Sequence, residues 1–188
     1  MNRLENWFCA SSLWRFVTRR QLLPWLVAGS SLGDHVLEVG AGFGAATAEL
    51  QRLTKRVTSL EYDPRSVIAC AARQGCPGAR VVRGDAAALP FRDNLFSAVF
   101  AVLVLHHLLS PGLQDRALAE IFRVLRPGGV FLALEISNGW LQRAAHFRST
   151  FVPVAPSSAI PRLKTAGFSQ VTLDYRGSSF RLRALRPE

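Results

Sequence analysis

The amino-acid sequence predicts an α/β fold in which a doubly wound, mostly parallel sheet carries helices on both faces. From Asp34 onward, strand and helix signals alternate along the chain, as they do where crossover helices join parallel strands. Residues 96–103 form a continuous apolar run, which is typical of a strand buried on both faces of such a sheet. Residues 168–175 and 180–185 alternate apolar and polar side chains around Gly177, and predict a closing hairpin with one exposed face.

The elements follow in chain order from local signals. Residues 3–29 predict a helix broken at Pro24, because apolar residues there partly follow helical spacing. Asp63-Pro64 predicts the cap and first turn of another helix, and Pro127 predicts a helix end. The remaining predicted elements are strands at 35–39, 56–61, 79–83 and 130–135, helices at 45–53, 64–74 and 113–125, a turn at 75–78, and a partly helical segment at 138–161. We expect a single domain at 31–188, preceded by an N-terminal helical segment at 1–30.

Composition places the chain among folded globular proteins. Its 188 residues are 49% hydrophobic and 19% charged, which excludes disorder. The net charge is +10, but the arginines are scattered, which favours solvated faces over a dedicated polyanion site. Three cysteines without CxxC spacing indicate neither a disulfide framework nor a zinc site. With Glu5 and several arginines inside the N-terminal apolar stretch, a signal peptide is disfavoured, and we expect a cytoplasmic location.

A glycine turn after the first predicted strand carries the main functional signal. Glu38 precedes Gly40 by two positions, Gly42 and Gly44 follow, and Glu61 comes seventeen residues after Gly44. Glycines let the backbone approach a ligand where a Cβ would collide, and carboxylates accept hydrogen bonds from ribose hydroxyls or an amino group. The pattern predicts a site for a nucleoside-bearing cofactor at the carboxyl edge of the sheet.

Five ordered motifs resemble the class I S-adenosylmethionine-dependent methyltransferases, specifically the small UbiE-like, type 11 group. They are 38–44 (EVGAGFG), 60–63 (LEYD), 84–91 (GDAAALPF), 96–100 (FSAVF) with 105–108 (LHHL), and 123–129 (RVLRPGG). The resemblance implies a Rossmann-like, seven-stranded sheet whose last strand is antiparallel. It also implies S-adenosyl-L-methionine as cofactor, S-adenosyl-L-homocysteine as product, and methyl transfer to an O, N or C atom of a small organic substrate.

The resemblance also implies the cofactor-binding residues. Glycine backbone would pass under the methionine part, with Glu38 holding its amino group or the turn. Glu61 would accept hydrogen bonds from both ribose hydroxyls, and Asp85 would meet the adenine amino group. The implied cofactor-binding residues are Glu38, Gly40, Ala41, Gly42, Gly44, Glu61, Tyr62, Asp85, Ala86, Ala101 and Val102.

Two rivals remain open from the sequence. Residues 40–45 also fit the GxGxxA fingerprint of nicotinamide-dinucleotide enzymes, with Glu61 as the ribose acid. Three observations weigh against this oxidoreductase hypothesis. Glu38 stands at the strand end, the chain carries the Gly84-Asp85 motif, and it leaves no room for a substrate domain. The second rival is a non-catalytic S-adenosylmethionine-binding protein or partner subunit, because cofactor motifs say nothing about a substrate pocket.

His106 and His107 are the candidate catalytic residues, because they follow a buried strand where ligands bind in this architecture. One of them would orient the substrate or accept a proton from its nucleophile, against the alternative that they only pack or bond to backbone. His35 and His146 are interpreted as structural or surface residues, and no metal is expected.

The expected partner is a small molecule, with an apolar or amphiphilic substrate favoured by the aromatic N-terminus. Three roles of the N-terminal segment stay open: it packs on the sheet, it covers the substrate as a lid, or it makes peripheral membrane contact. Nucleic acid is disfavoured, because residues 101–106 lack the Asn/Asp-Pro-Pro-aromatic run of base-amine methyltransferases. The choice between monomer and homodimer, the attacked atom and the substrate stay open.

Overall fold

The computed structural model describes residues 3–72 and 80–188, and in this part of the chain seven strands form one sheet in the order β3-β2-β1-β4-β5-β7-β6. The strands are β1 His35–Val39, β2 Arg56–Glu61, β3 Arg80–Arg83, β4 Phe96–Val102, β5 Leu125–Ile136, β6 Ser169–Arg176 and β7 Ser179–Leu185. The helices are α1 Arg3–Ala10, α2 Ser12–Val17, α3 Leu23–Val27, α4 Ala45–Leu53, α5 Pro64–Ala71, α6 Pro111–Val124, α7 Trp140–Ala145 and α8 Pro156–Thr165.

The strand directions confirm the predicted α/β sheet with an antiparallel last strand. β1 pairs with β2 and β4 in parallel, as do β2 with β3 and β4 with β5. β7 runs antiparallel to both of its neighbours, β5 and β6. The predicted hairpin is confirmed, and Gly177 turns it with a φ of +59°.

Two hydrophobic cores lie on opposite faces of the sheet, because successive strand residues point to opposite sides. One core gathers Leu37, Val99 and Phe131 with residues of α6 and α8. The other gathers Val36, Phe100 and Leu132 with residues of α3 and α4, among other residues. Helices therefore cover both faces, which leaves the carboxyl ends of the parallel strands as the edge where loops meet.

The N-terminal segment is helical, but the predicted break at Pro24 is wrong. The helices separate at Ser11, whose hydroxyl accepts the Trp14 N–H as an N-cap. From residue 12 to 27 the chain stays helical through a π-helical turn, Thr18–Leu22. Pro24 has no N–H and its ring crowds the preceding turn, and it is accommodated in the first turn of α3 just after the wider π turn.

The region after α6 also differs from prediction. β5 begins at Leu125, opposite Phe96, and its register shifts before Val130 pairs with Ala98. Pro127, Gly128 and Gly129 thus form an irregular stretch inside the strand rather than a loop before it, with Gly128 at a φ of +71°. The predicted turn at 75–78, Cys76, residue 79 and the predicted end of the fifth helix near residue 74 lie outside the described residues.

Candidate active site

The glycine turn joins β1 to α4 at the carboxyl edge of the sheet. Gly40, Gly42 and Gly44 all have positive φ, between +51° and +76°. The N–H groups of Gly40 and Ala41 both donate to the Leu60 carbonyl, at 2.8 and 3.0 Å, so the turn is held against β2. At Gly42 an added Cβ would meet no atom within 4 Å, so this part of the backbone borders open space.

Glu61, at the end of β2, supports the turn through its side chain. Its Oε2 accepts the Gly42 N–H at 2.7 Å, and its Oε1 accepts the N–H groups of Tyr62 and Asp63 at 2.8 and 2.9 Å. A carboxylate has about four acceptor positions. Three are therefore used by backbone, which leaves about one for a ribose hydroxyl unless the Gly42 contact opens.

Glu38 lies inside the protein rather than at the open edge. It is 2% exposed, and its Oε2 accepts the hydroxyls of Thr47 on α4, at 2.5 Å, and Ser59 on β2, at 2.7 Å. Burial raises the pKa of Glu38 to about 7, against the smaller opposing effect of these hydrogen bonds. The sequence predicted that Glu38 holds either the amino group of the cofactor or the turn. These contacts fit the second role, because they join β1 to α4 and β2 around the turn.

The other expected adenosine contacts lie beyond β2 and β3. Tyr62 is 71% exposed, and Asp85 is exposed with its Oδ1 accepting the Ala87 N–H at 2.9 Å. Ala86 is partly buried against the first core. The loop after Asp85 is held by α6, because the Leu89 N–H donates to Glu120 Oε2 at 2.7 Å and Arg123 donates to the Leu89 carbonyl.

Ala101 and Val102 end β4, where the chain turns sharply. Ala101 is fully buried between β1 and β5, opposite Val39 and Ala133, so only its backbone could meet a ligand. The next residue, Leu103, has a φ of +56°, which is uncommon for a side chain of its size. This turn brings residue 104 against the glycine turn.

Glu135, inside β5, binds the residues that follow β4. It is fully buried; its Oε1 accepts the N–H groups of Val104 and Leu105, and its Oε2 lies 2.5 Å from His106 Nδ1. Glu135 is not among the site residues that the sequence motifs predicted. A carboxylate inside the apolar strand 130–136 was the signal that could have found it, since charged groups are rarely buried without partners.

The candidate catalytic histidines lie together, and a third histidine joins them. His106 is buried and its ring centroid lies 4.3 Å from that of His107. His146, which the sequence suggested as a structural or surface residue, contacts both rings at 5.1 and 5.4 Å. Burial, and then the charge of His106, lower the pKa of His107 to about 4, so His107 is neutral at physiological pH.

Exposed apolar side chains concentrate in two segments beside these histidines. α1 and the residues after α7 are in contact, because Ser149 donates to Glu5 at 2.6 Å. In the described residues, the two segments, α1 with α2 and α7 with the residues that follow it, carry seven of the twelve exposed large hydrophobic side chains. We call these the aromatic patch: Trp7, Phe8, Leu13, Phe16, Trp140, Leu141 and Phe147.

The residues at the sheet edge have the chemistry that a nucleoside-bearing ligand would need. Gly42 offers backbone beside open space, Glu61 retains acceptor capacity at the end of β2, and Asp85 and Tyr62 are exposed where an adenine would lie.

Among the described residues, no helix has both the length and the apolar character needed to cross a membrane.

Comparison with known proteins identifies a family. The model of the family described as "Methyltransferase domain" matches residues 37–133, which is just over half of the chain. A phthiotriol/phenolphthiotriol dimycocerosates methyltransferase of Mycobacterium tuberculosis is 41% identical over 101 residues, or 53% of this chain and 36% of the relative. A fatty-acid O-methyltransferase of Mycolicibacterium smegmatis is 41% identical over 102 residues, with the same coverage. The chain thus spans little more than a third of these relatives' length.

Solved structures share the fold across nearly the whole chain. A chain of the solved "Complex between the Haloferax volcanii Trm112 methyltransferase activator and the putative methyltransferase" superposes with a TM-score of 0.79 at 17% identity, covering 100% of this chain and 99% of the other. The N-methyltransferase NodS of Bradyrhizobium japonicum, solved with S-adenosylhomocysteine, has a TM-score of 0.70 at 20% identity, covering 90% and 86%. At these identities the likeness shows the fold.

Proposed function

Because this chain belongs to the methyltransferase domain family of class I S-adenosylmethionine-dependent enzymes, we propose that it methylates an oxygen, nitrogen or carbon atom of a small apolar or amphiphilic molecule. The observation that carries the proposal is the juxtaposition of the Gly40–Gly44 turn, Glu61 and Asp85 along one edge of the sheet. When bound there, S-adenosyl-L-methionine supplies an activated methyl group on a sulfonium. The protein's own residues bind, orient and exclude water.

The cofactor-binding residues keep the roles expected from the resemblance, with two refinements. Glu61 accepts one ribose hydroxyl while it continues to hold the turn, since three of its acceptor positions are taken. Glu38 acts by fixing β1, β2 and α4 around the turn. Asp85 and Ala86 take the adenine edge, Tyr62 covers the ring, and the backbone of Ala101 and Val102 borders the amino end.

His106 and His107 border the place where the nucleophile must lie, just past β4. A general base works best with a pKa near the working pH, and a pKa of about 4 makes His107 a weak one. The role we propose for the pair is therefore to orient the substrate rather than to remove its proton.

The aromatic patch supports an apolar substrate. Its two segments flank the histidines, and the named relatives act on dimycocerosate lipids and fatty acids. The N-terminal segment serves as one wall of the substrate site, and α7 with the residues after it serves as the other. Five exposed arginines belong to these two segments or directly adjoin them in the sequence, Arg15, Arg19, Arg20, Arg143 and Arg148, which suits contact with an anionic lipid layer.

Lipid contact is measured by sedimentation with phosphatidylglycerol and phosphatidylcholine vesicles. We expect the chain to sediment with the anionic vesicles only, and the double variant W7A/W140A to lose this binding. Tyr175→Ala, an exposed aromatic residue on β6, is the matched control and should bind as the unmodified chain does. Equal sedimentation of all three proteins would remove the patch from the proposal.

The cofactor is tested by thermal unfolding with S-adenosylmethionine, S-adenosylhomocysteine and NAD. A ligand at one hundred times its Kd stabilises the folded state by about 2.7 kcal/mol, which raises Tm by about 5–10 °C for a chain of this size. We expect a rise with the first two ligands only, followed by methyl transfer to long-chain hydroxy or carboxy compounds. A rise with NAD alone would establish the oxidoreductase alternative. A cofactor response without transfer to any acceptor would favour the partner-subunit alternative.

A further inference from the structure

Three of the four histidines of the chain converge on one point. One ring nitrogen each from His106, His107 and His146 lies within 4.8 Å of the other two. The cluster forms between the end of β4 and the end of α7. His106 and His146 have side chains only 2% and 10% exposed, so the rings meet in a shielded space.

The other nitrogen of each ring is already committed to a hydrogen bond. His107 Nδ1 lies 3.1 Å from the Thr150 carbonyl oxygen, and His146 Nδ1 lies 2.7 Å from that of Gln142. A carbonyl oxygen only accepts, so Nδ1 carries the proton in both rings. His106 Nδ1 meets the buried Glu135 carboxylate in the same way. In all three rings Nδ1 is therefore committed to a carboxylate or a carbonyl oxygen, which leaves Nε2 as the atom that can bind a metal, as in metal-ligating histidines.

Two carboxylates stand by the cluster. Glu5 Oε1 lies 3.7 Å from His146 Nε2, and its side chain is 9% exposed. Glu135 contacts Nδ1 of His106. Carboxylates beside a histidine cluster can balance the charge of a divalent cation, which lowers the cost of burying such an ion in this interior.

We propose that His106, His107 and His146 bind one divalent transition-metal ion of the zinc class through Nε2, with a Glu5 carboxylate oxygen as fourth ligand. Imidazole-rich sites select zinc and related ions over magnesium or calcium. With Zn–N bonds of about 2.0–2.1 Å, tetrahedral ligands lie about 3.4 Å apart. The nitrogens must therefore approach by about 1.4 Å at most, which small side-chain rotations provide.

The proposed ion does not depend on the methyl-transfer chemistry. It would tie α1, through Glu5, to α7 and to the end of β4, so the N-terminal wall of the substrate site would be anchored by the metal. Ligation would also fix the rings of His106 and His107 and hence the shape of the wall that a nucleophile meets.

The test uses the untagged full chain, since a histidine tag would itself bind metal. We expect Co²⁺ to bind one per chain with the visible bands of tetrahedral cobalt, and Zn²⁺ to displace it. His146→Gln and Glu5→Gln, which keep side-chain size, should weaken Co²⁺ binding at least 10-fold. Glu135→Gln should weaken it by about 10- to 100-fold, the range for partners that orient metal ligands. His35→Gln, a histidine outside the cluster, should leave the affinity unchanged.

The metal-free Tm of each variant establishes that it is folded. S-adenosylhomocysteine binding, measured separately, distinguishes failure of this proposal from failure of the proposed function. The proposal is overturned if no metal binds at micromolar concentration, if His146→Gln binds as tightly as the unmodified chain, or if the cobalt spectrum shows thiolate bands that disappear in Cys9→Ala.

Discussion

Gly40 lies so close to Val104 that a Cβ built on Gly40 would stand 2.1 Å from Val104 Cγ2. Two turns, one after β1 and one after β4, therefore touch backbone to side chain. This contact makes the position of the glycine turn depend on the chain that leads to His106.

We expect Gly40→Ala to destabilise the fold and to abolish cofactor binding. The new methyl group cannot fit without moving one of the two turns, and a φ of +76° adds about 1–2 kcal/mol of strain for a residue with a Cβ. Urea unfolding measures the loss. Gly177→Ala is the matched control, because its φ is +59° and no atom lies within 4 Å of the added Cβ. Equal losses of unfolding free energy in the two variants would show that the close contact with Val104 does not contribute to the effect.

Gly42→Ala separates folding from binding. Its added Cβ meets no protein atom within 4 Å, so only backbone strain of about 1–2 kcal/mol is expected in the stability. The methyl group would point into the space left for the ligand, and S-adenosylhomocysteine affinity by calorimetry should fall more than in Gly177→Ala. Unchanged affinity would place the cofactor elsewhere.

Glu38→Gln should flatten the pH dependence of stability. The folded chain keeps the Glu38 proton up to about pH 7, whereas the unfolded chain releases it near its ordinary pKa of 4.5. Stability contributed by the protonated form is thus complete below about pH 4.5 and is lost as pH rises through about 7, by about 3 kcal/mol. The glutamine variant cannot ionise. Parallel stability curves for Glu38→Gln and the unmodified chain between pH 4.5 and 8 would contradict this expectation.

Glu61→Gln should raise the Kd for S-adenosylhomocysteine by roughly 10- to 100-fold, the effect of hydrogen bonds to a charged group. An amide nitrogen cannot accept, so one side of the new side chain would face N–H donors of Gly42 or of Tyr62 and Asp63. Calorimetric titration gives the Kd. Glu49→Gln, which removes a surface ion pair with Arg52 on α4, is the control and should bind normally. A Kd within twofold of the control would exclude Glu61 from the site.

The sequence predicted elements well where the signals were local. β1, α4 and β2 have the predicted bounds, because an apolar strand, a glycine turn and strong helix formers follow one another there. The break at Pro24 was wrong because a proline fits a helix when a π turn precedes it. Local reasoning offers no sign of that wider turn.

The candidate site residues predicted from the sequence are glycines and carboxylates in contiguous motifs, whereas the long-range contacts around the histidines were not predicted. His146 reaches His106 only because the segment after β5 folds back over the sheet edge. Glu5 reaches the same place from the other end of the chain. Neither approach leaves a spacing pattern, since both depend on how segments far apart in sequence pack together.

The position of β7 has a consequence for the order of folding. Because β7 lies between β5 and β6, β6 can join the sheet only as half of a hairpin with β7. The hairpin closes locally through Gly177, whereas β1 must find β4 across more than fifty residues. Loop-closure entropy favours the local event. We therefore expect the hairpin to form early and to dock as a unit, and the cofactor edge, which needs β1, β2 and β4 together, to be completed late.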